Sequence, residues 1–278
     1  MIKSSYTLFS VFGIPVKADF SLLILAVLMI SSFGDPIYGL SAGLLLLISV
    51  LLHELGHSLA AMAFGCRVRD ITLMMIGGCA SMLSMPRKAW QEFIMAFAGP
   101  LVSLLLGIFS WALITVGPAL FHRGFIGFMC WWCMTLNLTL FFFNLIPAFP
   151  MDGGRILRAF LQQFFMTRLK ATWIASRIGR GVAILMALGV VFSFLTGKFG
   201  GYTLIRLLIA YTIYQSAERE YQMVLMEEGY DNKNPFSRFG FPFFGRTTRM
   251  PPPDDGQAYV SPPPYDRGHG TRVDVFKD

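Results

Sequence analysis

The segment His53-Glu54-Leu55-Gly56-His57 combines residue types and a spacing that are typical of a metal-dependent hydrolase. On a helix, His53 and His57 lie one turn apart on the same face, so both imidazoles can hold one metal ion. Glu54 follows His53 directly and is placed to act as a general base that takes a proton from water. A catalytic zinc ion uses three protein ligands and a water. The pattern therefore requires a third ligand from elsewhere in the chain.

Asp152 is the best candidate for that third ligand. Of the other two histidines, His122 follows an apolar segment on the side opposite His53, and His269 lies in a polar tail. Asp152 stands where two prolines and two glycines interrupt an apolar stretch, in residues 144–155. Such a break allows a carboxylate to turn back toward a buried site. Taken alone, however, an Asp-Gly-Gly sequence is more typical of a polar turn at a helix end.

The composition predicts an integral membrane protein. Hydrophobic residues make up 55% of the chain and charged residues 14%, whereas soluble domains are about a quarter charged. Residues 1–216 contain 15 Lys and Arg but only six acidic residues, among them Glu54 and Asp152. The basic residues cluster between apolar segments, which indicates membrane orientation and not nucleic-acid binding. Ionisable residues inside such segments are costly, so they indicate function.

Six apolar segments predict an all-α polytopic membrane fold with six transmembrane helices. A helix that crosses a bilayer needs about 20 mainly apolar residues. Basic residues are concentrated before the first segment and after the second and fourth, which predicts that both termini are cytoplasmic. At 1.5 Å per residue, His53 would lie roughly 16 Å from the cytoplasmic face. The predicted segments are residues 18–33, 39–64, 93–116, 127–146, 179–195 and 202–214.

Residues 68–82, after the second segment, predict a short membrane-associated β hairpin or sheet. This stretch is rich in β-branched and apolar residues and is interrupted by Gly77-Gly78. A free strand edge there could accept an extended substrate by strand addition, so Gly77 and Gly78 are candidate substrate-binding residues. The alternative is a surface hairpin that only connects two helices.

The chain divides by composition into two parts. Residues 1–216 are the predicted transmembrane core. Residues 217–278 begin as a helix that continues into the cytoplasm and end in a proline-rich tail. The composition of the tail cannot support a packed core and predicts disorder. Proline-rich tails can also serve as docking sites for partner proteins.

Two motifs together resemble the site-2 protease family of intramembrane zinc metalloproteases. The first is the His53–His57 segment, and the second, about 90 residues later, comprises Asn144, Pro147, Pro150, Asp152 and Gly153. The resemblance implies one zinc ion held by His53, His57 and Asp152, with Glu54 as the general base. It also implies that Asn144 contacts the substrate backbone or the developing oxyanion.

The predicted function is therefore hydrolysis of peptide bonds within or near transmembrane segments of membrane-protein substrates. The expected setting is a lipid bilayer, the inner membrane of a prokaryotic cell, with a regulatory membrane partner as a further possibility. Two alternatives use the same ligands without hydrolysis: a membrane metal transporter or sensor, and an inactive family member that acts as a scaffold. Glu54 argues against the transporter, which needs no unliganded carboxylate beside the first histidine. The presence of all the proposed catalytic residues argues against the scaffold.

Overall fold

The computed structural model describes residues 5–75, 77–84, 86, 88–117, 121, 124–197 and 200–228. The proline-rich tail predicted to be disordered therefore lies outside the described residues, as do His122 and His269. Within the described part of the chain there are four strands and seven helices. They are β1 Ser5–Val11, β2 Ile14–Asp19, α1 Ser21–Phe33, α2 Pro36–Ala63, β3 Val68–Met74, β4 Gly77–Met82, α3 Ala89–Val116, α4 Gly124–Asn144, α5 Asp152–Phe164, α6 Arg168–Leu195 and α7 Gly201–Glu227.

Four of the helices, α2, α3, α4 and α6, are long and apolar enough to cross a membrane. The fold is mostly helical, as predicted. However, only four of the six predicted spans correspond to described helices that are both long enough and apolar enough to cross a membrane. Helix α1 is apolar but has only 13 residues, fewer than the roughly 20 that a perpendicular crossing requires. Helix α7 is long enough but too polar, and it passes residue 216 without a break. Helix α5 was not predicted as a separate element.

The strands form one mixed sheet in the order β1-β2-β3-β4. The predicted hairpin after the second apolar segment is confirmed as the antiparallel pair β3–β4. The two N-terminal strands were missed, and part of β2 was assigned to the first span. Strand β2 pairs in parallel with β3, with Val16 opposite Ile71. That pairing joins segments some 50 residues apart, and no local pattern encodes it.

A tight turn between α1 and α2 sets the start of the helix that carries the histidines. Gly34 ends α1 with φ 68°, a conformation that favours glycine. Asp35 then caps α2, because its side chain accepts hydrogen bonds from the backbone N–H groups of Ile37 and Tyr38. Pro36 follows at the first helical position, where no backbone N–H is needed.

One face of the sheet packs against the middle of α2. Ile14, Val16 and Ile71 from the sheet form a buried cluster with Val50 and Leu55 of the helix. Leu55 lies inside the histidine motif, so the sheet is fixed beside the residues that would perform chemistry. The close packing of these apolar side chains attaches the sheet to the helix through van der Waals contacts.

Candidate metal centre and active site

His53, His57 and Asp152 converge on one point, as the sequence predicted. Asp152 Oδ2 lies 3.1 Å from His53 Nε2 and 3.2 Å from His57 Nε2. The two Nε2 atoms are 3.3 Å apart. Both histidines are buried, and the aspartate is nearly so. Three ligand atoms in this arrangement can hold a single metal ion.

Helix α3 fixes the orientation of both imidazole rings from behind. His57 Nδ1 donates to the Met95 carbonyl oxygen at 2.7 Å, and His53 Nδ1 shares a hydrogen bond with Ser103 Oγ at 2.9 Å. Because a carbonyl oxygen only accepts, His57 carries its proton on Nδ1 and keeps the Nε2 lone pair for a metal. Such outer contacts set the tautomer and direction of a histidine ligand.

The backbone of Gly99 in α3 packs directly against the imidazole ring of His57. A Cβ atom built at Gly99 would come within 2.2 Å of His57 Nε2, the atom that faces Asp152. Only a residue without a side chain leaves room for the imidazole in this position. The sequence contained Ala98-Gly99-Pro100, but nothing in a single sequence pairs that glycine with a histidine 42 residues earlier.

Asp152 is held by close backbone packing at the start of α5. It is the first residue of that helix, after the loop that follows α4. A Cβ at Gly153 would meet the Ile146 carbonyl oxygen at 2.3 Å, and one at Gly154 would meet the Phe149 nitrogen at 2.7 Å. The two glycines therefore let the first turn of α5 lie directly on the loop, which brings the carboxylate back to the histidines.

Glu54 is not part of the ligand triad, and its side chain contacts strand β4. Its Oε2 accepts a hydrogen bond from the Ala80 N–H at 3.3 Å. A Cβ at Gly78 would approach Glu54 Cγ to 2.7 Å, so glycine permits this close contact. Gly77 begins β4 with φ 145°, a conformation that also favours glycine. In the described sheet, β4 is an edge strand that pairs only with β3.

Asn144, the last residue of α4, bonds within its own helix. Its Nδ2 donates to the Leu140 carbonyl oxygen at 3.1 Å. It lies at the end of the helix from which the Asp152 loop departs, and the described hydrogen bonds do not connect it to the ligand triad.

A family model for peptidase family M50 matches residues 41–125 and 118–188, which contain every residue of this site. The chain belongs to peptidase family M50. The resemblance to site-2 proteases is confirmed by a solved structure, the site-2 protease of Methanocaldococcus jannaschii. That structure shares 37% identity with a TM-score of 0.56, over 78% of this chain and 95% of that one.

Two curated relatives of this M50 protein also match. A zinc metalloprotease of Methanocaldococcus jannaschii is 36% identical over 82% of this chain and 64% of its own length. The stage IV sporulation protein FB of Bacillus subtilis is 34% identical over 46% of this chain and 43% of its own length. The matched regions thus cover less than two thirds of either relative.

The donor set of this M50 protein fits zinc. Two imidazole nitrogens and one carboxylate oxygen are typical ligands of a catalytic zinc, which leaves a fourth position for water or substrate. Calcium and magnesium prefer sites made of oxygen ligands, so the two histidines argue against them. The relative named as a zinc metalloprotease agrees with this assignment.

Proposed function

We propose that this protein is an intramembrane zinc metalloprotease that hydrolyses peptide bonds within or near transmembrane segments of other membrane proteins. The observation that carries the proposal is the division of labour in the H-E-x-x-H segment. His53 and His57 meet Asp152, whereas Glu54 lies outside that triad, against an edge strand. A site that only stores or moves a metal has no use for that separate carboxylate.

Each residue has a defined part in the reaction. His53, His57 and Asp152 would hold the zinc ion, which would supply polarisation of the scissile carbonyl group and of the attacking water. Glu54 accepts a proton from the attacking water and returns it to the leaving nitrogen. Asn144 contacts the substrate backbone or the developing oxyanion. The buried setting strengthens these interactions, because the local dielectric is low.

Strand β4 is the proposed substrate platform. A peptide bond inside a helix is protected by its internal hydrogen bonds, so a transmembrane substrate must unwind before it is cut. An extended segment can recover those bonds by pairing with an edge strand. Gly77 and Gly78 lie at the start of β4, and Ala80 already contacts Glu54 through its backbone. A strand added at this edge would therefore lie beside the general base.

The proposed topology has six spans with both termini in the cytoplasm of a prokaryotic cell, in its inner membrane. The chain is a membrane protein with four helices that qualify as spans, and α1 and the apolar first half of α7 would supply the other two. The basic residues between apolar segments support this orientation. Accessibility of single cysteines to a membrane-impermeant reagent, one beyond each helix end, tests the number and direction of the crossings.

The proposed domain organisation separates a catalytic core, residues 1–216, from residues 217–278, with their cytoplasmic helix and proline-rich tail. The tail is proposed as a docking site, and a regulatory membrane partner as the means of controlling access to the core. Crosslinking of the full chain in its native membrane, compared with a chain that ends at Gly229, tests both partners.

Glu54→Gln tests the activity itself. We expect purified Glu54→Gln to bind zinc as the wild type does and to cleave a model transmembrane substrate in detergent about 10²–10⁴-fold more slowly, the usual contribution of a general base. Asp152→Ala is the companion variant and should lose zinc together with activity. Cleavage by Glu54→Gln at the wild-type rate would show that Glu54 is not the general base. Zinc binding without any cleavage by the wild type would instead favour a metal transporter, sensor or scaffold.

A further inference from the structure

Arg158 of α5 is a buried charge that the proposed chemistry does not use. Its side chain is 1% exposed, and it is the largest fully buried side chain among the described residues. Two acids share it: Arg158 Nε donates to Glu92 Oε1 at 2.9 Å, and Arg158 Nη1 donates to Glu220 Oε1 at 2.5 Å. A second guanidinium nitrogen also contacts Glu92. Burying charged groups costs free energy even when they are paired, so a buried cluster of one arginine and two glutamates needs an explanation.

The pair with Glu92 joins the two helices that define the metal site. Arg158 lies on α5, six residues after the ligand Asp152. Glu92 lies on α3, on the same helical face as Met95, Gly99 and Ser103, which fix the histidine rings. One ion pair therefore connects the helix that orients both histidines to the helix that carries the third ligand.

The loop before α5 is attached to the same guanidinium. Arg158 Cζ lies 5.3 Å from the centre of the Phe149 ring, in the loop that ends at Asp152. Phe149 is 1% exposed. A cation over an aromatic face is stabilising when both are desolvated. Arg158 thus makes direct contacts with α3, with α7 and with the loop that sets the position of Asp152.

We infer that Arg158 and Glu92 form a positioning pair that fixes the distance between Asp152 and the two histidines and thereby tunes zinc affinity. The inference rests on the proposed function, because it assumes that the triad holds zinc. Neither residue belongs to the two motifs that identify the site. Glu220 has a different part: it attaches α7 to α5, and α7 supplies no ligand.

The stoichiometry of this cluster allows a clean test. Two carboxylates share one guanidinium, so neutralising either acid leaves a balanced ion pair and strands no charge. Glu92→Gln removes the ionic attraction between α3 and α5, whereas Glu220→Gln removes the one between α5 and α7; in each variant a side-chain oxygen that can accept from Arg158 remains. Glu218→Gln is the matched control, since Glu218 pairs with Arg180 at 2.8 Å, between α6 and α7 only.

The measurement is zinc affinity of the purified full chain in detergent, by competition with a chelator, together with the zinc-induced rise in melting temperature. We expect Glu92→Gln to weaken zinc binding about tenfold, the lower end of the range for losing a direct partner of a metal ligand, because Glu92 acts on Asp152 only through Arg158. Glu220→Gln and Glu218→Gln should stay within about threefold of wild type. A merely structural role for Glu92 would lower the melting temperature of the metal-free protein and leave the zinc-induced rise unchanged.

Arg158→Lys provides a second variant should Glu92→Gln not fold. It keeps the positive charge but cannot reach Glu92 with two nitrogens, so it should weaken zinc binding in the same direction. Wild-type zinc affinity in whichever of these two variants folds overturns the inference. If the wild type binds no zinc, both the proposed function and this inference are wrong. If the wild type binds zinc and all variants match it, only the positioning pair is wrong.

Discussion

The two sides of the metal site are built in different ways. On the α2 side, two ligands share one regular helix, and their spacing of four residues is enough to point both the same way. On the α5 side, one ligand follows an irregular loop, and its place depends on backbone packing at Gly153 and Gly154. The first side is encoded by helical periodicity. The second is encoded by contacts between segments, so it should be the more sensitive to substitutions remote from the ligands.

The difference between the two sides is not absolute, because the orientation of the two histidines on α2 also depends on contacts from α3. Ser103 and Met95 hold the Nδ1 atoms of the two rings, and Gly99 makes room for one of them. Helical spacing thus brings the histidines to one face, but it does not choose their ring orientation. Each side combines a local rule with a tertiary constraint, and the balance between the two differs.

Gly99→Ala should have the largest effect, and it acts on the α2 side without replacing a ligand. The new methyl group would lie 2.2 Å from His57 Nε2, so the ring must leave its position. We expect loss of both zinc and cleavage. Zinc content per folded molecule is the measurement, with Gly181→Ala as control because a Cβ there meets nothing within 4 Å. Normal zinc content in Gly99→Ala would show that the ring can move and still bind.

Gly153→Ala applies the same test to the α5 side. Its Cβ would lie 2.3 Å from the Ile146 carbonyl oxygen, and a backbone atom cannot rotate away as a side chain can. The first turn of α5 must shift, and Asp152 moves with it. We expect zinc affinity to fall about as far as in Asp152→Ala while the histidine side stays intact. A variant that binds zinc normally would mean that the loop adapts and that this side is less rigid than proposed.

Asn144→Ala separates substrate contact from metal binding. Asn144 lies at the start of the loop to Asp152 but bonds only to Leu140 in the described hydrogen bonds. We expect zinc to be retained and turnover to fall by about 10²-fold, as for the loss of a donor to a developing oxyanion. The rate constant and the zinc content of the same preparation are compared. Loss of zinc would place Asn144 instead among the residues that shape the α5 side.

A chain that ends at Gly229 should show the smallest effect. Helix α7 ends at Glu227, so this truncation keeps all ion pairs that attach α7 to α5 and α6. We expect zinc binding and cleavage of a model substrate in detergent to remain within about twofold of the full chain, because the composition of the tail does not support a packed core. A large loss of either property would show that residues after 229 contribute to the catalytic core.

The sequence alone determined the chemistry more fully than the scaffold. The H-E-x-x-H spacing predicted a helix with two ligands and a separate base, and the structure has His53, Glu54 and His57 on helix α2. The paired motifs and the resemblance they carry singled out Asp152, which meets both histidines. The β-branched stretch after the second apolar segment predicted the β3–β4 hairpin. Each of these predictions used residues close together in the chain or a motif of known type.

Tertiary structure alone decided what surrounds that chemistry. Ser103 is 50 residues from His53, and Met95 is 38 residues from His57. The Arg158–Glu92 pair spans 66 residues, and strand β2 pairs with β3, where Val16 lies opposite Ile71. A hydrophobic period specifies which face of an element is buried, but not which distant element covers it. That choice depends on side-chain shape, on space left by glycine and on the pairing of buried charges, and these become defined only when the helices pack.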